Sequence, residues 1–254
     1  MKWILKIWKS FKYGLIGMGL LVIIGFSSAR HQDRYISDVI ISVDNQFHNY
    51  FIDQQDVLDL INERGKDYLL ASDMGALDLK ELEQRIESHQ FVEDAQAYLD
   101  LNGKLSIDVK QNRPIARVIN PNGKDLYIGT KGDVLPESEH YTARVVLIEL
   151  EDEFWLPEYD IKDAKGGEQV FELLSFIVED KFWQSQIAGM RIKKDMDIEL
   201  FPQVTKQLVE FGPAENIESK FMRLKTFYKE ILPYKGWNTY ETVNLKYKDQ
   251  IVCK

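Results

Sequence analysis

The acidic run around residue 150 is the densest group of side chains that could carry out a reaction. Glu149, Glu151, Asp152 and Glu153 fall within five positions. A glycosidase needs two carboxyl groups that face each other across a cleft, one as proton donor and one as base or nucleophile. Neighbours in a single acidic run rarely face each other in that way. A solvated, anionic loop is therefore the favoured interpretation, and an exported hydrolase is the alternative.

Other reactive residue types are sparse. The chain has four histidines, at positions 31, 48, 89 and 140. None of them has a partner at metal-ligand spacing such as i, i+4. The single cysteine, Cys253, excludes an intramolecular disulfide and a thiolate metal cluster. Gly129–Gly132 resembles a phosphate-binding loop only faintly, and a turn between strands is expected there. The sequence thus predicts no catalytic residue, no cofactor and no metal.

Charge is distributed unevenly along the chain. Residues 1–29 contain four lysines and no acidic residue, whereas residues 30–254 contain 28 basic and 41 acidic residues. This acidic segment, residues 30–254, lacks the basic surface that binds phosphate backbones, so a general nucleic-acid binder is excluded. It also fits poorly with binding to anionic lipid or cell-wall polymer. A protein is therefore the expected partner, and no small-molecule substrate is indicated.

The uncharged segment 13–29 predicts a single transmembrane helix. Its length corresponds to roughly 25 Å of helix, near the lower limit for crossing a bilayer. The preceding lysines place residues 1–12 in the cytoplasm, so residues 30–254 are exported and the chain is a single-pass type II protein. A cleaved signal peptide is the competing interpretation, because Ser27-Ser28-Ala29 offers small residues at a possible cleavage site.

Residues 35–112 predict a first exported domain. Alternation of apolar residues indicates a strand over 38–45, and helical spacing indicates a helix over 51–64 and another from Leu77-Asp78 onward. Asp53 is expected to cap the first helix. Asp78 with Glu81 resembles a capping box at the start of the second.

A hairpin completes this domain. Apolar residues alternate on both sides of Asn102-Gly103, up to Leu101 on one side and from Leu105 on the other. Asn-Gly is the preferred pair for a type I′ turn, so a hairpin is expected over 91–111. The order strand, helix, helix, strand, strand gives three strands covered on one face by two helices, a small α+β domain.

Residues 113–254 predict a second, strand-rich domain with helices packed on it. Strands are expected over 115–120, 125–130 and 143–150, and three more over 187–212 are spaced as in an antiparallel meander. Residues 240–254 are expected to form one or two closing strands. Helices are expected over 168–183 and 217–234, with Val170, Leu173, Leu174, Ile177 and Val178 inward on the first and Phe221, Leu224, Phe227, Tyr228 and Ile231 inward on the second.

The whole layout resembles the FtsQ/DivIB family of bacterial cell-division proteins. Residues 39–61 are similar to the opening of that family's POTRA domain, and residues 89–118 are similar to its hairpin and exit. Gly132-Asp133-Val134 resembles a motif of the family's β-domain, and residues 243–247 resemble its closing strand. Gln111 and Phe91 depart from the family pattern. The positions that fit the hairpin motif are Val92, Ala95, Leu105, Ile107, Val109, Arg113, Pro114 and Ala116.

The resemblance implies a fold and a function. It implies a cytoplasmic tail (1–12), an uncleaved inner-membrane helix (13–29), a periplasmic POTRA domain (35–112) and an FtsQ-type β-domain (113–254). It further implies a non-catalytic scaffold of the divisome that binds FtsB/FtsL-type bitopic proteins and helps to control the septal peptidoglycan synthase complex. A periplasmic cell-wall hydrolase and a POTRA-type chaperone or translocation factor are the alternatives.

The last strand of the β-domain is the partner surface that the resemblance implies. An edge strand, here expected over Thr242 to Val252, presents unpaired main-chain groups that another chain can extend. Tyr247 takes the place of the motif tyrosine, with an inward-facing core position as its alternative. The neighbouring lysines could meet an acidic partner segment. The predicted partner-binding residues are Val243, Leu245, Lys246, Tyr247, Lys248 and Ile251.

Overall fold

The described residues of the chain form two compact units. A computed structural model describes residues 18–19, 35–45, 50–61, 73, 75, 77–138 and 140–254. One unit contains residues up to Asp44 together with Ile52–Lys110, and the other contains Asn45–Phe51 together with Gln111–Lys254. The predicted membrane segment lies outside the described residues except for Met18 and Gly19, which are helical. Within the described part, no helix is both long enough and apolar enough to span a membrane.

The first unit has the predicted α+β architecture. Its elements are β1 (Asp38–Asp44), α1 (Gln54–Ile61), α2 (Leu79–Glu87), β2 (Val92–Leu99) and β3 (Lys104–Gln111). The sheet order is β1-β3-β2, and β1 runs parallel to β3 with Ile41 opposite Ile107. Apolar side chains of the strands and of both helices form one buried cluster.

Both predicted helix caps are confirmed. The Asp53 carboxylate accepts hydrogen bonds from the N–H groups of Gln55 (2.7 Å) and Asp56 (2.9 Å). The Asp78 carboxylate accepts one from the Glu81 N–H at 3.1 Å. Each carboxylate thereby satisfies N–H groups that the first turn of a helix leaves without a partner. The predicted C-terminal part of the first helix, beyond Ile61, lies outside the described residues.

The predicted hairpin is confirmed, but its turn type is wrong. Gly103 has a positive φ of 86° and Asn102 does not, whereas a type I′ turn needs both. The Asp100 carboxylate accepts hydrogen bonds from the N–H groups of Asn102 (2.8 Å) and Lys104 (2.9 Å). These contacts fit a three-residue loop that ends in a glycine bulge. Leu101, predicted to alternate along the strand, is exposed on that loop.

In the described residues, the second unit is built on a mixed sheet of nine strands: β4 (Pro114–Ile119), β5 (Leu126–Gly129), β6 (Val134–Leu135), β7 (Val146–Leu150), β8 (Ile187–Ile192), β9 (Ile198–Pro202), β10 (Leu208–Gly212), β11 (Thr242–Asn244) and β12 (Val252–Cys253). Their order in the sheet is β12-β11-β10-β9-β8-β7-β4-β5-β6. The strands over 187–212 form the predicted antiparallel meander, β8-β9-β10. Strands β4, β7 and β8 are parallel to one another.

The helix predicted over 168–183 is two helices. They are α3 (Gly167–Glu179) and α4 (Lys181–Gln186), with a 3-10 turn at Ile161–Asp163 before them. Asp180 breaks the helix because its backbone is extended and its carboxylate accepts hydrogen bonds from the N–H groups of Phe182 and Trp183, which caps α4. Val178, predicted to face inward, is only half-buried near this break.

The second predicted helix continues to residue 235 but changes its hydrogen-bonding pattern. It consists of α5 (Ile217–Thr226), a π-helical turn (Phe227–Ile231) and α6 (Leu232–Lys235). A π turn holds one more residue than an α turn, so it rotates the residues that follow it. Ile231, predicted to face the core, is consequently 41% exposed, whereas the other four predicted inward residues are buried.

Aromatic rings fill the core between one face of the sheet and the helices. Trp183 is 2% exposed, and the centroid of its ring lies 4.6 Å from that of Phe221. Phe221 in turn stacks on Phe176 at 4.9 Å and meets Phe211 of β10 at 5.4 Å. This cluster joins α3, α4 and α5 to the sheet and fixes where α5 lies along the C-terminal strands.

Candidate partner-binding edge

The predicted last strand is two short strands at one edge of the large sheet. Of the one or two closing strands expected over 240–254, the structure has two, and residues 245–251 separate β11 from β12 within the predicted edge strand Thr242 to Val252. Strand β11 pairs in parallel with β10, and β12 folds back antiparallel onto β11 as the outermost strand. The turn at Asp249, with a φ of 57°, interrupts the strand.

The outer side of β12 carries main-chain groups that point away from the sheet. Thr242 and Lys254 exchange both main-chain hydrogen bonds, at 3.2 and 3.1 Å. In an antiparallel pair, such residues alternate with residues whose N–H and C=O point the other way. Cys253, one position from Lys254, therefore directs its N–H and C=O toward the free edge.

Arg223 of α5 fixes the loop between β11 and β12. Its guanidinium donates hydrogen bonds to the C=O groups of Tyr247 and Gln250, both at 2.6 Å, and of Leu245 at 3.1 Å. Sequence reasoning missed this residue, because its acceptors are main-chain atoms 22 to 27 positions later. No local pattern signals such contacts.

The six predicted partner-binding residues divide into two groups. The side chains of Val243 and Leu245 are fully buried in the core, so these two residues offer no exposed side chain at the edge. Lys246 and Lys248 are exposed, Tyr247 is 52% exposed, and Ile251 is half-buried. Alternation explains why Val243 and Leu245 face the core and Lys246 faces outward. It ends in the loop, where Tyr247 is exposed although it has the same parity as Leu245.

An apolar groove lies between α5 with its π-helical turn and the β12 edge. Its volume is about 430 Å³. Ile231 lines it because the π-helical turn rotates this side chain out of the core. Arg223, Thr226, Asp249 and Gln250 contribute its polar positions. Its apolar lining consists of Met222, Phe227, Ile231, Tyr240, Ile251 and Cys253.

The charge around this edge is opposite to that of residues 30–216. Residues 217–254 contain eight basic and four acidic residues. A hydrogen bond to Asp197 raises the pKa of Lys246, so this ammonium stays charged. Burial raises the pKa of the Cys253 thiol, which keeps it neutral at physiological pH. The edge thus combines free main-chain groups, an apolar groove and a cationic surround.

The acidic run does not form a carboxylate pair. Glu149 accepts two hydrogen bonds from Arg191, the shorter at 2.7 Å. Glu151 accepts one from the N–H of Lys194, and Glu153 accepts one from the side chain of Asn122. Asp152 caps its own loop at the Phe154 N–H. Each carboxylate is therefore engaged separately.

The remaining reactive residues are placed as follows. Gly129–Gly132 forms the expected turn between strands, β5 and β6. Burial lowers the pKa of His89, whereas positions 31 and 48 lie outside the described residues. Among the residues that the structure describes, no three His, Cys, Asp or Glu side chains are grouped to hold a metal ion.

Comparison with protein families gives two matches. Residues 113–254, more than half of the chain, match the family model described as FtsQ/DivIB, C-terminal related. Residues 35–110 match the model of a POTRA-like domain. No curated protein matches the chain significantly.

Proposed function

The chain belongs to the FtsQ/DivIB family and has a role in cell division, and from this premise we propose that it is a non-catalytic membrane scaffold of the division machinery. The engagement of Glu149 by Arg191 supports the absence of catalysis, because a carboxylate held by a guanidinium is poorly placed to exchange protons with a substrate. The family is generally made of scaffolds, which supports the same assignment.

The proposed membrane topology rests on the sequence of the N-terminal segment. Residues 1–12 stay in the cytoplasm, residues 13–29 cross the inner membrane once, and the remainder is periplasmic. The POTRA domain then extends over 35–112 and the β-domain over 113–254. Membrane anchoring is a property of the family, which supports an uncleaved segment.

The free edge of β12 is the observation that carries the proposed partner site. An extended segment of an FtsB/FtsL-type protein adds to the sheet by hydrogen-bonding to the N–H and C=O of Cys253. Its apolar side chains enter the groove beside Ile231 and Ile251. Its acidic side chains face Lys246 and Lys248, and Tyr247 packs over the added strand. The scaffold thereby recruits and controls the septal peptidoglycan synthase complex.

The proposal is tested by binding of the purified full-length chain in detergent to an FtsB/FtsL-type complex, measured by calorimetry. Tyr247→Ala should weaken binding by at least about 1–2 kcal/mol while the fold is kept. Lys248→Pro should also weaken binding, because it removes an ammonium group that faces the acidic side chains of the partner.

Tyr159→Ala is the matched control for this test, because Tyr159 is an exposed tyrosine of the same unit that lies outside the groove. It should bind like the unmodified chain. Normal binding by folded Tyr247→Ala and Lys248→Pro would show that the partner site is elsewhere.

A further inference from the structure

The sheet of the first unit also has edges, and β2 is one of them. An unprotected edge strand offers a row of N–H and C=O groups to any extended chain. Whether such an edge is open decides whether this unit can bind partners or unfolded chains by strand addition.

The hairpin geometry identifies the β2 groups that point outward. The N–H of Asp100 donates to the C=O of Lys104 at 3.0 Å, so these two residues face each other across the hairpin. Pairing alternates along an antiparallel ladder. Counting back from Asp100, the even-numbered residues of β2 bond to β3, and the odd-numbered ones, including Ala95 and Ala97, direct their main-chain groups to the free edge.

Two glutamates of α2 occupy those outward N–H groups. The N–H of Ala97 donates to Glu83 Oε1 at 2.8 Å, and the N–H of Ala95 donates to Glu87 Oε1 at 3.3 Å. The spacing fits, because four residues of a helix rise about 6 Å and two residues of a strand advance about 6.8 Å. Glu83 and Glu87, which are four positions apart on α2, are therefore spaced to reach Ala97 and Ala95, which are two positions apart on the edge strand.

The opposite edge of this sheet is also partly blocked. The side-chain amide of Gln54, in α1, donates to the C=O of Ile41 near the middle of β1 at 3.0 Å. By contrast, in the described part of the chain no side chain hydrogen-bonds to the main chain of Cys253. The edges thus differ: side chains bond to main-chain groups of β1 and β2 in the first sheet, whereas among the described residues no side chain does so at Cys253 of β12.

We infer that Glu83 and Glu87 close the β2 edge to strand addition, so that an extended partner segment cannot extend the sheet of the first unit at β2. The inference goes beyond the proposed scaffold function, since the closure of β2 does not depend on what binds at β12. It has a functional consequence. With β2 closed, the first unit cannot hold unfolded chains by adding them to this edge, as a chaperone or translocation factor that captures strands at β2 would need.

Hydrogen–deuterium exchange of the full-length chain in detergent, with fragmentation to single residues over 92–99, tests the closure. In the Glu83→Ala/Glu87→Ala double variant, the amides of Ala95 and Ala97 should exchange at least about 10-fold faster. The Glu83→Gln/Glu87→Gln variant keeps an acceptor oxygen at both positions, so it should retain most of the protection. Glu81→Ala is the control, because Glu81 lies on the same helix and contacts Arg85 instead.

A strand probe then tests the consequence. The probe is a synthetic peptide that copies β3, Lys104–Gln111, carrying a photo-crosslinker. It should crosslink to β2 in the double alanine variant and not in the unmodified chain. Unchanged exchange at Ala95 and Ala97, loss of protection in the glutamine variant, or crosslinking of the unmodified chain at β2 would each overturn the inference.

Discussion

Replacing Arg223 by alanine should release the loop that supports the β12 edge. The substitution removes three hydrogen bonds from a charged donor to the C=O groups of Leu245, Tyr247 and Gln250. A hydrogen bond to a charged group contributes roughly 1.5–3 kcal/mol. Two of these bonds are exposed to water, and the Arg223 Nε is buried without a partner among the described residues. We therefore expect Arg223→Ala to destabilise the loop by about 2–3 kcal/mol in total.

This loss is local, because α5 itself is held by Phe221 and Leu224 in the core. A difference of about 2–3 kcal/mol corresponds to roughly 30- to 150-fold faster amide exchange in the loop and in β12. Binding of an FtsB/FtsL-type partner should weaken by at least about 10-fold, since the partner must order the edge before it can extend it. Hydrogen exchange over 245–254 and calorimetry measure the two effects.

Lys229→Ala is the matched control, because it removes one positive charge from the same helical segment without a contact to the loop. Arg223→Lys should be intermediate, since an ammonium cannot reproduce the planar fork of a guanidinium. If Arg223→Ala leaves both the exchange of residues 245–254 and the partner affinity unchanged, the reasoning about this loop is refuted.

Three further predictions concern the core and the edge of the second unit. Trp183→Ala should lower the unfolding free energy by about 3–5 kcal/mol in denaturant titrations, because the ring is buried among aromatic neighbours; a loss below about 1 kcal/mol would show that this cluster is not the core. Burial raises the pKa of Tyr228 to about 12. The neutral Tyr228 hydroxyl is therefore fully compatible with the fold below the ordinary tyrosine pKa near 10, and the free energy of unfolding falls as the pH rises from there toward 12. Tyr228→Phe should remove this alkaline loss of stability; equal losses in both proteins would contradict the prediction. The Cys253 thiol, whose pKa burial raises, should react with iodoacetamide more slowly than a free thiol at pH 7.5 and more slowly still with partner bound; reaction at the free-thiol rate would show that Cys253 is not shielded.

Local sequence patterns predicted most of the elements because their physical causes are local. Asp53 and Asp78 cap helices through N–H groups two or three positions away, and the Asn102-Gly103 pair marks a hairpin with its own turn residues. The meander over 187–212 follows from short alternating segments at regular spacing. Parallel pairings such as β4 with β7 join distant segments, and the spacing of residues does not reveal them.

The site was harder to predict because its features depend on contacts between distant residues. Helical periodicity placed Ile231 in the core, and only the π-helical turn moves it into the groove. The closing segment looked like one edge strand, yet Arg223 and the turn at Asp249 divide it. Edge protection by Glu83 and Glu87 requires a helix and a strand in register.

Photo-crosslinking at position 247 tests the central claim most directly. A photoreactive residue replaces Tyr247 in the full-length tagged chain, which is irradiated in its own cells and purified from detergent-solubilised membranes, with mass identification of bait and product. We predict an intact bait crosslinked to an FtsB/FtsL-type division protein, and no such product from the control position Tyr159. Absence of the product at 247, an equal product at both positions, or a bait shortened by about 29 residues would contradict the account of a membrane scaffold that binds through its β12 edge.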